Sequence, residues 1–181
     1  RDKVGVDPSR ILFSEHHISH AASAYFCSPF QEAAIFTADA TGEWTTTSIG
    51  TAKGNDLKLE REIRFPHSLG LLYSAFTAFL GFEVNEGEYK VMGMAPYGQP
   101  KYADKVYRLI NVADDGSYSL DMNYFSYHHS LTRAFNRKFE ELFGQPRDPR
   151  DSNNPNAYYA DVAASVQFVL EEVILKIVKD L

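Results

Sequence analysis

Apolar and polar positions alternate with two different periods along this chain. Ile11-Leu12-Phe13 is a short apolar run that reads as a buried strand. Ala21-Ala22-Ser23-Ala24-Tyr25-Phe26 reads as a helix of small residues, able to lie close against a sheet and stopped by Ser28-Pro29. Residues 33–38 form a second buried strand, Asp39-Ala40-Thr41-Gly42-Glu43 a turn, and the Thr- and Ile-rich stretch 44–51 another strand. After a turn at Lys53-Gly54-Asn55-Asp56, residues 57–65 alternate. Leu57, Leu59, Ile63 and Phe65 fall on one side, and the alternation slips near Arg61 as at a bulge. Three strands joined by two tight turns predict an antiparallel meander.

Beyond Pro66 the period becomes helical. Leu69, Leu72, Tyr73, Phe76, Phe79 and Leu80 define a buried helix face, with Ser68 as cap and Gly81 as stop. Shorter helices are expected over 87–95 and 102–109, a strand over 118–122, and an amphipathic helix over 131–143 burying Phe135, Phe139, Leu142 and Phe143. Residues 145–156, with three prolines, read as a polar loop or lid. Arg147, Asp148 and Arg150 in it are solvated by default. Asn154-Pro155 reads as the start of a closing helix that buries Val162, Val166, Val169, Val173 and Ile177. The class is α/β, a mixed sheet carrying the meander and flanked by helices.

Length and composition fit one domain: 181 residues, 44% hydrophobic and 14% aromatic. A formal charge of −6 gives no long-range attraction for nucleic acid or anionic lipid, and no run approaches the length of a membrane span. The single cysteine, Cys27, excludes an intrachain disulfide, reads as an inert core thiol, and fits a reducing cytoplasm. The start at Arg1 lacks an initiator Met and the last helix runs to Leu181 without a cap, so the expectation is a piece of a longer chain. A core cut short in this way would expose apolar surface and could self-associate as a homo-oligomer.

Three clusters carry candidate chemistry. In Glu15-His16-His17-Ile18-Ser19-His20, His16 and His20 share one helix face at a spacing that lets two imidazoles grip one ion, while His17 points elsewhere. The same spacing also occurs in surface and capping histidines. Asp39, at the end of a buried strand, is the best third ligand, because a carboxylate there is costly unless paired or metal-bound. Two His and a carboxylate suit Fe, Zn or Mn. Second, Gly42 and Glu43 lie in a turn that can present backbone N–H groups to a phosphate, or be an ordinary hairpin. Third, Gly87 opens a helix whose start favours anions, Glu88 can bond a ribose hydroxyl, and Lys90 can hold a phosphate. The bland alternative is a helix end with a solvated salt bridge. His67 reads as a cap and His128-His129 as structural.

Taken in order, the histidine cluster, the Asp-x-x-Gly-Glu of residues 39–43 and the run Glu86-Gly87-Glu88-Tyr89-Lys90-Val91-Met92-Gly93-Met94-Ala95-Pro96-Tyr97-Gly98 resemble the O-carbamoyltransferases of the nodulation and antibiotic-tailoring type. The resemblance covers roughly residues 11–181. It implies part of an actin-like ATPase superfamily fold with two ribonuclease-H-like halves, the first ending within residues 1–30 and the second opening over 31–181. It implies synthesis of carbamoyl adenylate from carbamoyl phosphate and ATP, then transfer to a hydroxyl of a small-molecule or glycan acceptor. Residue by residue it implies a divalent metal, Fe foremost, on His16, His20 and Asp39, and a nucleotide-side helix carrying Glu88 and Lys90. With the turn and helix-start readings above, the nucleotide is expected near Gly42, Glu43, Gly87, Glu88 and Lys90. Because the resemblance leaves parts of the family pattern outside these residues, the fragment alone is expected not to turn over. The alternatives are a threonylcarbamoyl-transferase-like enzyme and a non-enzymatic metal-binding module.

Overall fold

The computed structural model describes residues 5–150 and 156–181. Helix α1 (His16–Tyr25) leads into strands β1 (Glu32–Gly42), β2 (Thr45–Lys53) and β3 (Asp56–Arg64), which form an antiparallel sheet in the order β1-β2-β3. Helices α2 (Leu69–Phe79), α3 (Glu88–Met94) and α4 (Ala103–Tyr107) follow, then a two-stranded hairpin of β4 (Ile110–Val112) and β5 (Tyr118–Leu120), α5 (Arg137–Phe143) and the 24-residue α6 (Ala157–Asp180). The fold is α/β with the expected meander. Among the described residues every strand pair is antiparallel, so the parallel element of a mixed sheet is not among them.

Two layers of different size cover the sheet. On one face, α2, α5 and α6 bury Phe76, Phe79, Phe139, Phe143, Val162 and Val169, each at 0–1% exposure. The rings of Phe76 and Phe139 meet edge-on at 5.1 Å, a favoured aromatic geometry. Ser68 caps α2 by accepting the Leu71 N–H at 3.0 Å, and Gly81 turns the chain away at φ +75°, a left-handed value glycine adopts without cost. On the other face α1 rests on a small cluster of Ala21, Tyr25, Ile35 and Ala52.

The run that resembles the carbamoyltransferases has a structural explanation at its end. The 3₁₀ turn Ala95–Tyr97 delivers Gly98 against α6, where a Cβ would stand 2.1 Å from the Ala160 carbonyl oxygen. Buried Asp161 accepts the Gln99 N–H and the Lys101 ammonium, both at 2.7 Å.

The meander departs from the expected pattern in instructive ways. Residues 39–42 belong to β1, and the turn is only Glu43-Trp44, with Glu43 at φ +60°. The register jumps from Ala38↔Thr47 to Gly42↔Thr45, leaving a bulge in β1. In β3 the anticipated slip is present: Ile49 faces Arg61 and Gly50 faces Leu59, so Glu60 is the extra residue. That bulge corrects the one-sided assignment of the apolar positions. Leu57 and Leu59 pack in the α1 cluster, whereas Ile63 packs on the main core.

Further corrections concern apolar residues outside the core. Ile11-Leu12-Phe13 is not a strand, and Leu12 and Phe13 are more than 90% exposed. Hydrophobic character alone cannot bury a run that no neighbouring strand pairs. The helix expected over 131–143 begins only at Arg137, capped by Asn136, whose side chain accepts the Lys138 N–H. Phe135 instead makes an isolated bridge with Phe125, and Leu131 is fully exposed. Cys27 is exposed, because it lies past the end of α1 rather than beneath it. The Asn154-Pro155 helix start lies outside the described residues; α6 is capped by Asn156, whose side chain accepts the Tyr158 N–H. No helix among the described residues is long and apolar enough to cross a membrane.

Candidate metal centre

Three side chains from two elements converge at one edge of the sheet. His16 and His20 project from one face of α1, and Asp39 rises from the bulge of β1. His16 Nε2 lies 2.6 Å from Asp39 Oδ2, His20 Nε2 lies 3.2 Å from the same oxygen, and the two Nε2 atoms are 2.9 Å apart. Among the described residues no other set of three His, Cys, Asp or Glu donors gathers in this way.

The donor set fits a cation better than it fits protons. If both Nε2 atoms carry hydrogen, two N–H groups confront each other. If only one does, the other ring's lone pair faces the carboxylate oxygen. Every proton assignment leaves one repulsive contact, and a cation removes it. Two donors held about 2.1 Å from one ion at right or tetrahedral angles stand roughly 3.0–3.4 Å apart. The His20–Asp39 distance of 3.2 Å falls in that range, the His16–His20 distance of 2.9 Å just below it, and the His16–Asp39 distance of 2.6 Å would have to open to admit an ion. Two His and one carboxylate on one side, with the opposite side open, is a recognised donor set for a divalent transition metal.

Surrounding groups hold Asp39 and crowd His16. Asp39 Oδ1 accepts the Ala40 N–H at 2.7 Å, which fixes the carboxylate plane. Ser68 Oγ donates to the Asp39 carbonyl at 3.0 Å, tying the first turn of α2 to the bulge. Gly70 lets that turn approach; a Cβ there would stand 2.7 Å from Ala40 N. Gly42 does the same beneath His16, where a Cβ would stand 2.1 Å from the ring Cδ2. Burial pushes the Asp39 carboxyl up, but the bonds from His16, the Ala40 N–H and His20 together outweigh it and leave the group below its ordinary range.

His17 turns away from the cluster and is buried at 4% exposure. Its Nδ1 meets Thr37 Oγ1 at 2.6 Å, its Nε2 meets the Thr45 carbonyl at 2.9 Å, and Thr37 Oγ1 meets Ser48 Oγ at 2.5 Å. Burial lowers the pKa of this ring more than its bond to Thr45 raises it, so the ring is held neutral.

Asp39 also lines an open groove of about 320 Å³ whose other walls include Ala40, Gly70, Ser74, Asn85 and Glu88. Glu88 Oε1 accepts from Ser74 Oγ at 2.9 Å and from the Asn85 N–H at 3.0 Å, and Oε2 accepts the Gly87 N–H at 3.3 Å. Burial raises the Glu88 pKa and these bonds more than reverse it, so the group is a carboxylate. This carboxylate occupies the N–H groups of Asn85 and Gly87 just before α3. Lys90 is exposed and outside the groove, its ammonium 5.9 Å from the Phe82 ring centre. Gly42 and Glu43 line a different, polar groove with Glu15, His17, Glu60 and Glu62. The structure therefore joins Asp39 and Glu88 at one groove and leaves Gly42, Glu43 and Lys90 outside it. His67 accepts the Leu120 N–H at 3.0 Å, a structural contact. Arg147 donates its backbone N–H to Phe79 and its guanidinium to Leu80, which ties the polar loop to the end of α2.

Residues 3–181 match the family model described as carbamoyltransferase N-terminus. The chain belongs to the carbamoyltransferase family. It is 53% identical over 169 residues to the uncharacterized protein sll1178 of Synechocystis sp., covering 92% of this chain and 27% of that protein. It is 31% identical over 175 residues to the nodulation protein NolNO of Sinorhizobium fredii, covering 96% of this chain and 24% of that protein. A match to the nodulation protein NolO of Bradyrhizobium diazoefficiens is 33% identical over 111 residues. This carbamoyltransferase domain spans about a quarter of the length of its two longer matches. Sequence reasoning found the three convergent donors but missed Gly70, Thr37 and Ser48. None of the three left a signal in the local pattern: Gly70 is the second residue of α2, and Thr37 and Ser48 are ordinary strand residues.

Proposed function

We propose that this domain forms the metal and nucleotide side of an enzyme that makes carbamoyl adenylate from carbamoyl phosphate and ATP and passes the carbamoyl group to a hydroxyl of a small-molecule or glycan acceptor. Family membership supports the carbamoyl chemistry. The observation that carries the rest is Asp39, which belongs both to the His16/His20 cluster and to the wall of the groove shared with Glu88. In this reading the domain closes one ribonuclease-H-like half of an actin-like ATPase fold within residues 1–30, opens the next over 31–181, and works in the cytoplasm.

His16, His20 and Asp39 hold the divalent ion, Fe foremost, with Zn or Mn as alternatives. Once bound, that ion supplies positive charge that offsets the charge of the nucleotide phosphates. Glu88, held as a carboxylate by three donors, keeps acceptor capacity on Oε2 for a ribose hydroxyl. The apolar walls of the groove, Leu170 and Ile174 among them, exclude water from a bound nucleoside. In the activation step water splits carbamoyl phosphate into carbamate and inorganic phosphate, and a carbamate oxygen bonds the α-phosphorus of ATP as pyrophosphate leaves. In the transfer step the acceptor oxygen bonds the carbamoyl carbon, the bond from that carbon to the adenylate oxygen breaks, and AMP leaves as the hydroxyl proton is released. Gly42, Glu43 and Lys90 act, if at all, from outside this groove.

The test is elemental analysis of the full-length protein, purified without chelator or histidine tag, beside its His16→Ala/His20→Ala variant. Near-stoichiometric Fe or Zn, lost in the variant, is expected, together with carbamoyl-phosphate-dependent release of pyrophosphate from ATP by the wild type. Metal retained in the variant would sink the ligand assignment. A carbamoylated product confined to tRNA would sink the acceptor class.

A further inference from the structure

The helix that carries the two histidine donors is weakly fastened by apolar contact. Beneath α1 the buried apolar residues are Ala21 and Tyr25 from the helix and Ile35 and Ala52 from the sheet, with Ala33, Leu57 and Leu59 partly buried against them. Two alanine methyls on such a surface resist sliding and rolling poorly. The donors, however, tolerate little motion. Side-chain tips stand about 5–6 Å from a helix axis, so a roll of about 20° moves them by roughly 2 Å, whereas metal–ligand distances hold to about 0.2 Å.

The Tyr25 hydroxyl donates to the Gln31 carbonyl at 2.8 Å near the end of α1, and a second directional attachment sits in the turn that carries the donors. At about 100° per residue, His17 lies roughly 60° around the helix from His20 and about 100° from His16, so it enters the sheet while its neighbours face the open side. A carbonyl oxygen only accepts, so His17 Nε2 must donate to Thr45. In the neutral ring Nδ1 is then bare and accepts the Thr37 hydroxyl, and Thr37 accepts the Ser48 hydroxyl in turn. The Ser48 hydroxyl stands 3.5 Å from His17 Nδ1, a longer contact than its 2.5 Å to Thr37, and among the described residues no buried side-chain polar atom is left without a partner. Thr37 is two residues before Asp39 and faces α1 as Asp39 does. The same strand thus anchors the helix and supplies the third donor.

We propose that His17 is a positioning residue, whose bonds to Thr37 and Thr45 set the rotation of α1 and so the spacing of His16, His20 and Asp39. The proposal rests on the metal reading given above. An apolar residue at position 17 would fill the space, but it would leave the Thr45 carbonyl unpaired and the roll unset.

Co²⁺ titration of the full-length protein tests it, followed by visible absorption, which reports donor geometry as well as occupancy. His17→Leu is expected to weaken Co²⁺ binding at least about 10-fold and to shift the absorption band while cooperative thermal unfolding persists. His17→Gln, whose amide N–H can still reach Thr45, is expected to recover much of the loss. Thr37→Val, which keeps the shape and removes the hydroxyl, is expected to shift affinity and band in the same direction by less, and it decides the matter if His17→Leu does not fold. Wild-type affinity and an unshifted band in folded His17→Leu, or in Thr37→Val in that event, would overturn the proposal alone. Wild-type protein that takes up no Co²⁺, or a His16→Ala variant that binds it unchanged, would overturn the metal reading and the proposal with it.

Discussion

The two faces of the meander solve the same problem by different means. The α2/α5/α6 face is held by bulk: Phe76, Phe79, Phe139 and Phe143 interlock at ring distances of 4.8–6.1 Å and are essentially dry. The α1 face has four buried apolar residues and a hydrogen-bonded histidine. Dispersion and burial are large but tolerate many arrangements, whereas hydrogen bonds stabilise little and specify direction. One face stabilises the domain, and the other sets the placement of a few atoms.

That contrast can be broken from the stable side first. Phe76→Ala should cost about 3–5 kcal/mol, read as a lower urea midpoint at unchanged slope. A cost under about 1 kcal/mol would mean that the aromatic face is not the main stabiliser. Gly70→Ala comes next, at about 1–3 kcal/mol, because its Cβ would press on the Ala40 backbone rather than on a movable side chain. It links the two faces, so metal content should fall alongside stability. If stability falls and metal stays full, the contact between α2 and the bulge does not reach the site.

Asp161→Ala should cost about 1–3 kcal/mol, since it strands the Gln99 N–H. The Lys101 ammonium, with that N–H, holds the Asp161 carboxyl below its ordinary range. Its contribution is therefore fully present above the unfolded value of about 3.9 and is lost as pH falls through the lower folded value. The difference in urea midpoint between wild type and Asp161→Ala should be flat from about pH 7 to pH 5 and shrink below about pH 4. The smallest effect belongs to Lys90→Ala. An exposed ammonium over an aromatic ring should change stability by no more than about 0.5 kcal/mol and, in our reading, leave ATP-dependent turnover largely intact. A large loss of turnover would bring Lys90 into the site after all.

Much of this arrangement is legible in the residues. A period of two followed by a helical period fixes the meander and α2, and Val162 through Ile177 trace the buried stripe of α6. His16 and His20 are paired by helix geometry alone, and Asp39 stands out because an acid at the end of an apolar strand is costly without a partner. What is not legible depends on contacts distant in sequence. The apolar character of Ile11-Leu12-Phe13 says nothing about whether a strand will pair with it. Cys27 reads as core by composition, yet it falls just beyond the end of α1. The roles of Gly42 and Gly70 come from what a missing Cβ allows a neighbour to do, and no local pattern records that. The grouping of Asp39 with Glu88, 49 positions apart, is settled only by how α2 lies against β1.

The bulge in β1 has a consequence for error. Asp39 is flanked by Ala38 and Ala40, and successive strand residues face opposite sides. A hairpin closed one position out of step would therefore place a methyl group where the carboxylate belongs, and would turn Thr37 and Asp39 toward the apolar face that Phe36 occupies. Such a molecule would lack the Asp39 carboxylate at the His16/His20 edge and carry an unpaired polar group on its apolar face. The irregular step between Ala38 and Gly42 makes the two alignments unequal, because only one of them lets Gly42 pass beneath the His16 ring. Alignment of the hairpin is thus checked at the site itself.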